Sequence, residues 1–527
     1  MRTGGTGVGG WLVAFTLCAC APAEPTTTSE AGGGSSTTAS VDPSVGQLPT
    51  FGSTSAGESA GETATEEPPA SAGDVVVHLF EWSWADVARE CEDVLGPAGV
   101  AGVQVSPPNE YRLIDPHPWW ERYQPVSYTI VGRSGDAEEF ADMVERCAAV
   151  GVEIYVDAVL NHMAWAKAGP GNQQVGVGGT VYERYSFPGL YEEEHFHDCK
   201  QGIQDWSSRW EVHFCELATL PDLATEHPHV RARLAGYLEQ LMTLGVAGFR
   251  IDAAKHVPAE DLEAIFGMLS RAPFVFHEVI PGDAIAGSEY FGTGRVTEFR
   301  FGLALSQTLR AEQLAQLPGF EKRWGLHPSD RALVFIDNHD NQRGHGYGEP
   351  LTHEDGALYR VALALMLALP YGRPKLMSSY AIDDTEAGPP KAQDGGILTP
   401  HGEGGACVAP WICEHRWTST RGMIGFRNAT QAAPAIERWW DNGNDQIAFA
   451  RGELGYLVVN REELPTLTRA FETGLPEGTY CDVYAGGRSP DGRGCVGATV
   501  EVGAAGQAEI TVGPLSAVAI HVGARLP

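Results

Sequence analysis

The sequence predicts a (β/α)8 barrel with a subdomain inserted after its third strand and an antiparallel β-sandwich at its C-terminus. Three observations carry this. Eight short apolar, β-branched runs alternate with helix-like segments; several of those runs end in acids; and beyond about residue 433 the pattern shifts to short alternating strands separated by turns. The fold class is therefore α/β with an all-β appendage.

The chain opens with one arginine before the apolar run 11–20, which is too short to span a bilayer as a mature helix, so residues 1–20 are expected to be a signal peptide. Leu17-Cys18-Ala19-Cys20 resembles a bacterial lipobox, which would put a lipid on Cys20; the alternative is ordinary cleavage near Ala19 or Ala21. Residues 21–73 are mostly Ser, Thr, Gly, Pro, Ala and Glu, with Phe51 as their one aromatic residue. Such a segment buries too little surface to offset its ordering entropy and is expected to be a flexible tether.

The eight barrel runs are 75–82, 100–106, 152–159, 246–252, 274–278, 296–301, 333–337 and 375–379. They read as strands buried on both faces, and the barrel spans 74–162 and 223–432. Between Asn161-His162 and a helix near Ala224 lie about sixty residues rich in Gly, His, Trp and Glu, too many for a structureless loop, so 163–222 is expected to be a small subdomain. Strands at 446–450, 455–460 and 517–522 place a β-sandwich over 433–527.

Eight cysteines follow the leader: Cys91, Cys147, Cys199, Cys215, Cys407, Cys413, Cys481 and Cys495. An even count in an exported chain implies disulfides, and no Cys-x-x-Cys spacing suggests zinc. Cys199/Cys215, Cys407/Cys413 and Cys481/Cys495 would each close a short loop, leaving Cys91 with Cys147, but sequence alone does not prove that connectivity. Lys+Arg 36 against Asp+Glu 68 gives a formal charge of −32. That surface repels phosphate backbones and anionic headgroups, which disfavours nucleic acid and polybasic membrane docking and suits a neutral substrate.

Strand ends carry the chemistry. Gly248-Phe249-Arg250-Ile251-Asp252 closes one run, Phe276-His277-Glu278 the next, and Asp337-Asn338-His339-Asp340 a third, while Asp157 ends an earlier one. A lone strand-end acid is usually a helix cap. A cap, however, needs no arginine two residues before it and no Asn-His-Asp cluster after it. In a barrel these carboxyl ends converge on one mouth.

These stretches, together with Asp157-Ala158-Val159-Leu160-Asn161-His162 and Pro118-Trp119-Trp120-Glu121-Arg122-Tyr123-Gln124-Pro125, resemble alpha-amylases of glycoside hydrolase family 13, specifically the chloride-dependent, animal-type branch. The resemblance covers residues 74–527. It implies Asp252 as nucleophile, Glu278 as general acid/base and Asp340 as a third carboxylate that grips the sugar, a division of labour that retaining glycoside hydrolysis itself requires. It also implies substrate contacts from Trp119, Trp120, Tyr123, Gln124, His162, Arg250, Lys255, His256 and His339. Apolar sugar faces stack on such rings, and a Trp-Trp pair followed by Glu-Arg would leave at least one ring outside a core.

The same resemblance implies calcium on Asn161 and Asp222 with the backbone carbonyls of His213 and His256, oxygen donors suited to a hard cation. Where His213 stands the family often has arginine, which does not affect a carbonyl ligand. It further implies chloride on Arg250, Asn338 and Lys375. Lysine at the last position replaces the usual arginine and lacks its fork, so weaker chloride binding is expected. His277 stands where glutamine is usual, which leaves the pH optimum open.

The implied function is retaining endo-hydrolysis of α-1,4-glucosidic bonds in starch, glycogen and related glucans, by a monomer that is secreted or lipid-anchored at a bacterial envelope. Two alternatives stay open: a transglycosylase or exo-acting maltooligosaccharide hydrolase of the same family, and a non-catalytic glucan-binding surface protein. Early viscosity loss separates the first from endo-action, and starch clearing separates the second.

Overall fold

The computed structural model describes residues 73–527 except 170 and 283. The expected leader, the lipid site Cys20 and the tether fall outside the described residues, apart from residue 73. Eight strands close a parallel barrel in sequence order: β1 (Val76–Leu79), β2 (Gly102–Val105), β3 (Glu153–Val159), β4 (Gly248–Asp252), β5 (Phe274–His277), β6 (Arg295–Glu298), β7 (Ala332–Val334) and β8 (Arg373–Ser378), with β8 pairing back onto β1. The surrounding helices are α1 (Trp84–Glu90), α2 (Ala137–Ala149), α3 (Pro228–Thr243), α4 (Ala259–Phe266), α5 (Phe299–Ala311), α6 (Ala357–Ala368) and α7 (Thr418–Thr430). After β5 the chain makes only a 3-10 segment, Gly287–Gly292, in place of a full helix.

Alternation along the strands sorts the interior into two layers. Val76, Tyr155, Phe276, Leu333 and Phe335 form a dry plug low in the barrel. Gly102 makes room for it, since a β-carbon there would lie 2.5 Å from the Tyr155 ring. Two residues further along, the same inward faces carry His78, Gln104, Asp157 and Arg250, all buried. The plug thus seals one end while the polar layer faces the carboxyl-terminal mouth, where barrel active sites lie.

Several strand ends need correction: the runs read as 75–82 and 333–337 stop at Leu79 and Val334, and the sixth run is also too long. The sixth run, read from sequence as 296–301, ends at Glu298, and Phe299 and Phe301 belong to α5. Val-Thr-Glu-Phe-Arg-Phe alternates as a strand does, but the Glu298 carboxylate accepts the Arg300 N–H at 3.2 Å and starts a helix.

Two excursions rise from the mouth. After β2 a small antiparallel sheet (Asn109–Tyr111, Pro125–Gly132, Gly135–Asp136) frames a 3-10 helix, Trp119–Tyr123. Between β3 and α3 the chain forms a hairpin (Gln174–Val175 with Val181–Tyr182), a short helix (Arg209–Phe214) and a strand pair (Cys199–Gly202 with Cys215–Glu216). Its ends are drawn together: Leu223 N–H donates to Asn161 O and Met163 N–H to Pro221 O, each at 3.0 Å.

Disulfides join Cys91–Cys147, Cys199–Cys215, Cys407–Cys413 and Cys481–Cys495, the pairing suggested by proximity. Four such bonds belong to an oxidising, extracellular setting. At the C-terminus β9 (Glu437–Asp441), β10 (Gln446–Arg451), β11 (Gly455–Asn460) and β16 (Ser516–His521) make one antiparallel sheet, packed over β12 (Leu467–Glu472), β13 (Gly478–Cys481), β14 (Thr499–Val502) and β15 (Gln507–Val512) around a separate apolar core. Arg451 reaches from this sheet to the carbonyls of Ala368, Thr430 and Ala433, fixing it to the barrel.

Candidate active site

Register places the central ion pair. β3 and β4 align Asp157 with Arg250, and two residues on, Asp252 ends β4. Arg250, 2% exposed, donates from Nη1 to Asp157 Oδ1 at 2.5 Å and to Asp252 Oδ1 at 2.9 Å, and from Nη2 to Glu278 Oε1 at 2.5 Å. One guanidinium thus spans three carboxylates. Ala253 then turns through the left-handed region (φ 49°), an uncommon conformation for alanine, and its N–H donates to Glu278 Oε2 at 3.0 Å.

Asp340 arrives from the loop after β7. Asn338 Oδ1 accepts the N–H groups of Asp340 (3.1 Å) and Asn341 (2.9 Å), folding the chain back toward the mouth. His339 stacks on Tyr123, with ring centroids 5.5 Å apart and planes 5° from parallel, and its Nε2 is 3.6 Å from Asp340 Oδ2. Tyr123 OH in turn donates to Asp157 Oδ2 at 3.0 Å.

Burial dominates the electrostatics. It drives Asp252 well above the usual carboxylate range against the opposing pull of Arg250, and it lifts Asp340, with help from the Glu278 charge, to about 7. These groups titrate as a set rather than singly. Burial also pulls His162 down to about 4, His256 to about 3 and His339 well below its ordinary value. All three are neutral imidazoles at neutral pH. His162 Nε2 donates to Tyr123 O and His256 Nδ1 to Val212 O, each at 2.9 Å; His162 Nδ1 then accepts from Asn161 Nδ2 at 3.3 Å, while His256 Nε2 remains as an acceptor. His277 turns away, toward Phe266 and Tyr290 in the outer layer, with Nε2 2.9 Å from Thr293 Oγ1.

A cleft of about 120 Å³ opens beside these groups, lined by Glu278, Lys255, His256, Ala253, Trp206, Leu217, Ile280 and Gly346. Trp119 is nearly buried, its indole N–H donating to Thr385 O at 3.0 Å, whereas Trp120 keeps part of its ring at the surface and bonds Glu386. Gln124 Oε1 accepts the Trp165 N–H at 3.1 Å.

Comparison with known proteins fits this geometry. Residues 121–265 match the alpha amylase catalytic domain and 439–523 the alpha amylase C-terminal all-beta domain. The chain is 44% identical to an alpha-amylase of Pecten maximus over 86% of its length and 93% of that protein's, and 43% identical to pancreatic alpha-amylase 2a5 of Mus musculus over 88% and 97%. The chain belongs to the alpha-amylase family. It is accordingly a glycoside hydrolase, and a mutant of Eisenia fetida alpha-amylase I solved with maltohexaose superposes with a TM-score of 0.79 at 39% identity, covering 86% of this chain and 97% of that one.

Two ion sites are implied for this alpha-amylase family member. Asn161 and Asp222 sit together where the inserted segment closes, through the His162–Asp222 bridge and a side-chain bond between the two residues. The Arg209–Phe214 helix, which carries His213, is held against the barrel by the bond from His256 to Val212 O. Asp222 is fully buried, accepts from His197 Nδ1 at 2.6 Å, and is raised by burial to about 7. Among the described residues no three His, Cys, Asp or Glu side chains converge as a metal cluster. A calcium would rest instead on one carboxylate, one amide and two carbonyls, which suits its preference for oxygen.

At the chloride position, burial and then the Arg250 charge bring Lys375 down to about 7. Arg250 has unused N–H donors, Lys375 donates to Gln104 Oε1 at 2.9 Å, and Asn338, with its oxygen engaged, can offer Nδ2. A buried guanidinium, a buried amine that an anion would keep protonated, and an amide donor fit an anion.

Several contributors escape sequence reasoning. Gln104 ties Lys375 to Asp157, donating to Asp157 Oδ2 at 3.2 Å, and its Nε2 lies 3.3 Å from His78 Nε2. Arg343 lies within 5.1 to 5.4 Å of the Phe80, Trp119 and Tyr380 ring centres and so braces Trp119. An inward polar residue on an otherwise apolar strand is the signal that could have found Gln104 and His78.

Proposed function

We propose that this protein hydrolyses internal α-1,4-glucosidic bonds of starch, glycogen and related glucans with retention of configuration. The observation that carries the reading is the single buried guanidinium of Arg250 held between Asp252 and Glu278, which sets the two carboxyls side by side as double displacement demands. Asp252 attacks the anomeric carbon; its Oδ1 is held by Arg250, which leaves Oδ2 as the attacking oxygen. Glu278 protonates the departing glycosidic oxygen, then removes a proton from the water that cleaves the glycosyl–Asp252 ester. Both its oxygens accept hydrogen bonds here, from Arg250 and Ala253, so proton delivery requires it to release one. Asp340 grips the sugar, the neutral His162, His256 and His339 exchange hydrogen bonds with hydroxyls, and Trp120 offers a stacking face.

Incubation of the purified protein with soluble starch tests this: viscosity falls before small sugars accumulate, and the α-anomer appears first. Small sugars from the outset would mean exo-action, and no products would mean a binding protein. A monomer exported through the 1–20 leader, with a lipid on Cys20, completes the reading, and the intact mass of the mature chain reports whether the lipid is present.

Calcium on Asn161, Asp222 and the carbonyls of His213 and His256 would pin the inserted segment to the barrel. Chelation is expected to lower the melting temperature and the activity together, by about 3 to 4 kcal/mol of linkage for an ion present at a few hundred times its Kd. An unchanged melting curve in protein shown by metal analysis to be calcium-free removes the ion from the account.

Chloride on Arg250, Asn338 and Lys375 would supply a fixed negative charge that favours protonated neighbours. Because the acid must be protonated to act, chloride removal is expected to pull in the alkaline limb of the pH–rate profile, with the greatest loss above the optimum. Lys375→Arg should tighten the anion by restoring a fork, and Lys375→Gln should leave the rate independent of chloride. Titration of chloride on both sides of the optimum checks this; equal activity without chloride at every pH overturns it.

A further inference from the structure

Trp210 is the only aromatic ring among the strongly exposed large apolar side chains of the described residues, at 58% exposure. Its segment is held rigidly. Arg209 donates twice to Glu289, at 2.7 and 2.9 Å, Ser208 caps the short helix at Glu211, and the Cys199–Cys215 bond ties the adjacent strand pair. The indole shares a shallow depression with Asp198, Cys199, Lys200 and Gln201. Lys200 pairs with Glu193 and lies over the Tyr185 ring, which leaves Asp198 and Gln201 as the hydrogen-bonding rim. Four residues earlier, Trp206 lines the catalytic cleft, its ring centre 5.8 Å from that of His256.

We infer that Trp210 and the depression beside it form a second binding site for an α-glucan chain, outside the cleft. This rests on the functional reading above. A fixed, solvent-facing indole with an amide and a carboxylate at its edge matches a sugar ring, which shows C–H groups on its face and hydroxyls on its rim. The alternative of a protein partner fits poorly, because a stable interface needs roughly 1,000 Å² or more with a contiguous apolar centre, and here one ring stands among polar groups. A net charge of −32 disfavours an anionic polymer. For an enzyme acting on a polymer, such a site adds a second attachment point, so affinity for long or insoluble glucan exceeds what the cleft provides.

The full chain carrying Glu278→Gln, which holds starch without consuming it, is compared with the same chain also carrying Trp210→Ala, Trp210→Phe or Gln201→Ala by sedimentation with granular starch. Trp210→Ala is expected to weaken retention about tenfold, equal to ~1.4 kcal/mol. Trp210→Phe should recover most of it, and Gln201→Ala should fall between. In the otherwise wild-type enzyme, Trp210→Ala should raise KM on starch while leaving kcat/KM on a chromogenic maltotrioside within about twofold, the pattern of lost uniform binding. Undiminished starch retention by Trp210→Ala overturns the second site, as does an equal loss on the short substrate, which would put the indole in the cleft. A wild-type protein that does not hydrolyse starch overturns the functional reading instead, and the site with it.

Discussion

Asp252→Asn and Glu278→Gln are each expected to reduce kcat on starch by about a thousandfold or more, because each removes a group the chemistry requires while hardly changing volume. The fold should survive. Asp252 is buried and held well above the usual carboxylate range, so the folded state binds its proton more tightly than the unfolded chain does. The cost of ionising it is absent below the unfolded value and grows as pH rises toward the folded one. Asp252→Asn removes that cost, so its melting temperature should match wild type near pH 4 and equal or exceed it near pH 8. Circular dichroism and thermal melts at both pH values, beside starch assays, check this. Turnover within tenfold of wild type in either variant would remove that residue from its role.

Arg250→Met should cause the largest loss of stability, about 3 to 5 kcal/mol at pH 8, the usual consequence of leaving buried charges without their partner. Asp157, Asp252 and Glu278 would all lose the guanidinium that joins them. Asp157 and Asp252, both already raised by burial, would hold their protons more tightly still without the cation, so the deficit should shrink as pH falls and grow as pH rises. Arg250→Lys keeps the charge but cannot bridge three acids, and should lie between. Urea unfolding at pH 5 and pH 8 measures both. Arg250→Met as stable as wild type at pH 8 would mean that the pairing contributes nothing net.

Much of this was legible in the sequence because it is local. Strand runs buried on both faces, acids at their ends, turn-rich alternation beyond residue 433 and a spacer of about sixty residues before α3 each show in short windows. Periodicity overran the strand ends at 80–82 and 335–337, and at Phe299–Phe301, where period two and a helix start overlap, a single side-chain cap decided the boundary.

The chain order of residues by itself determined the barrel, the inserted segment, the sandwich and the cluster Asp252, Glu278 and Asp340, since in a parallel barrel all strand ends reach one mouth whatever their spacing. The tertiary structure alone decided which partners those acids meet. Arg250 faces Asp157 because β3 and β4 adopt one register of several, and Gln104 joins Lys375 to Asp157 across residues 271 and 53 positions away. It also decided which tryptophans are free to meet a sugar: Trp119 lies under Arg343 and Trp210 stands in solvent, although both occur in polar, Trp-bearing stretches of similar appearance. Exposure and long-range pairing depend on what packs from elsewhere in the chain, and no local window contains that information.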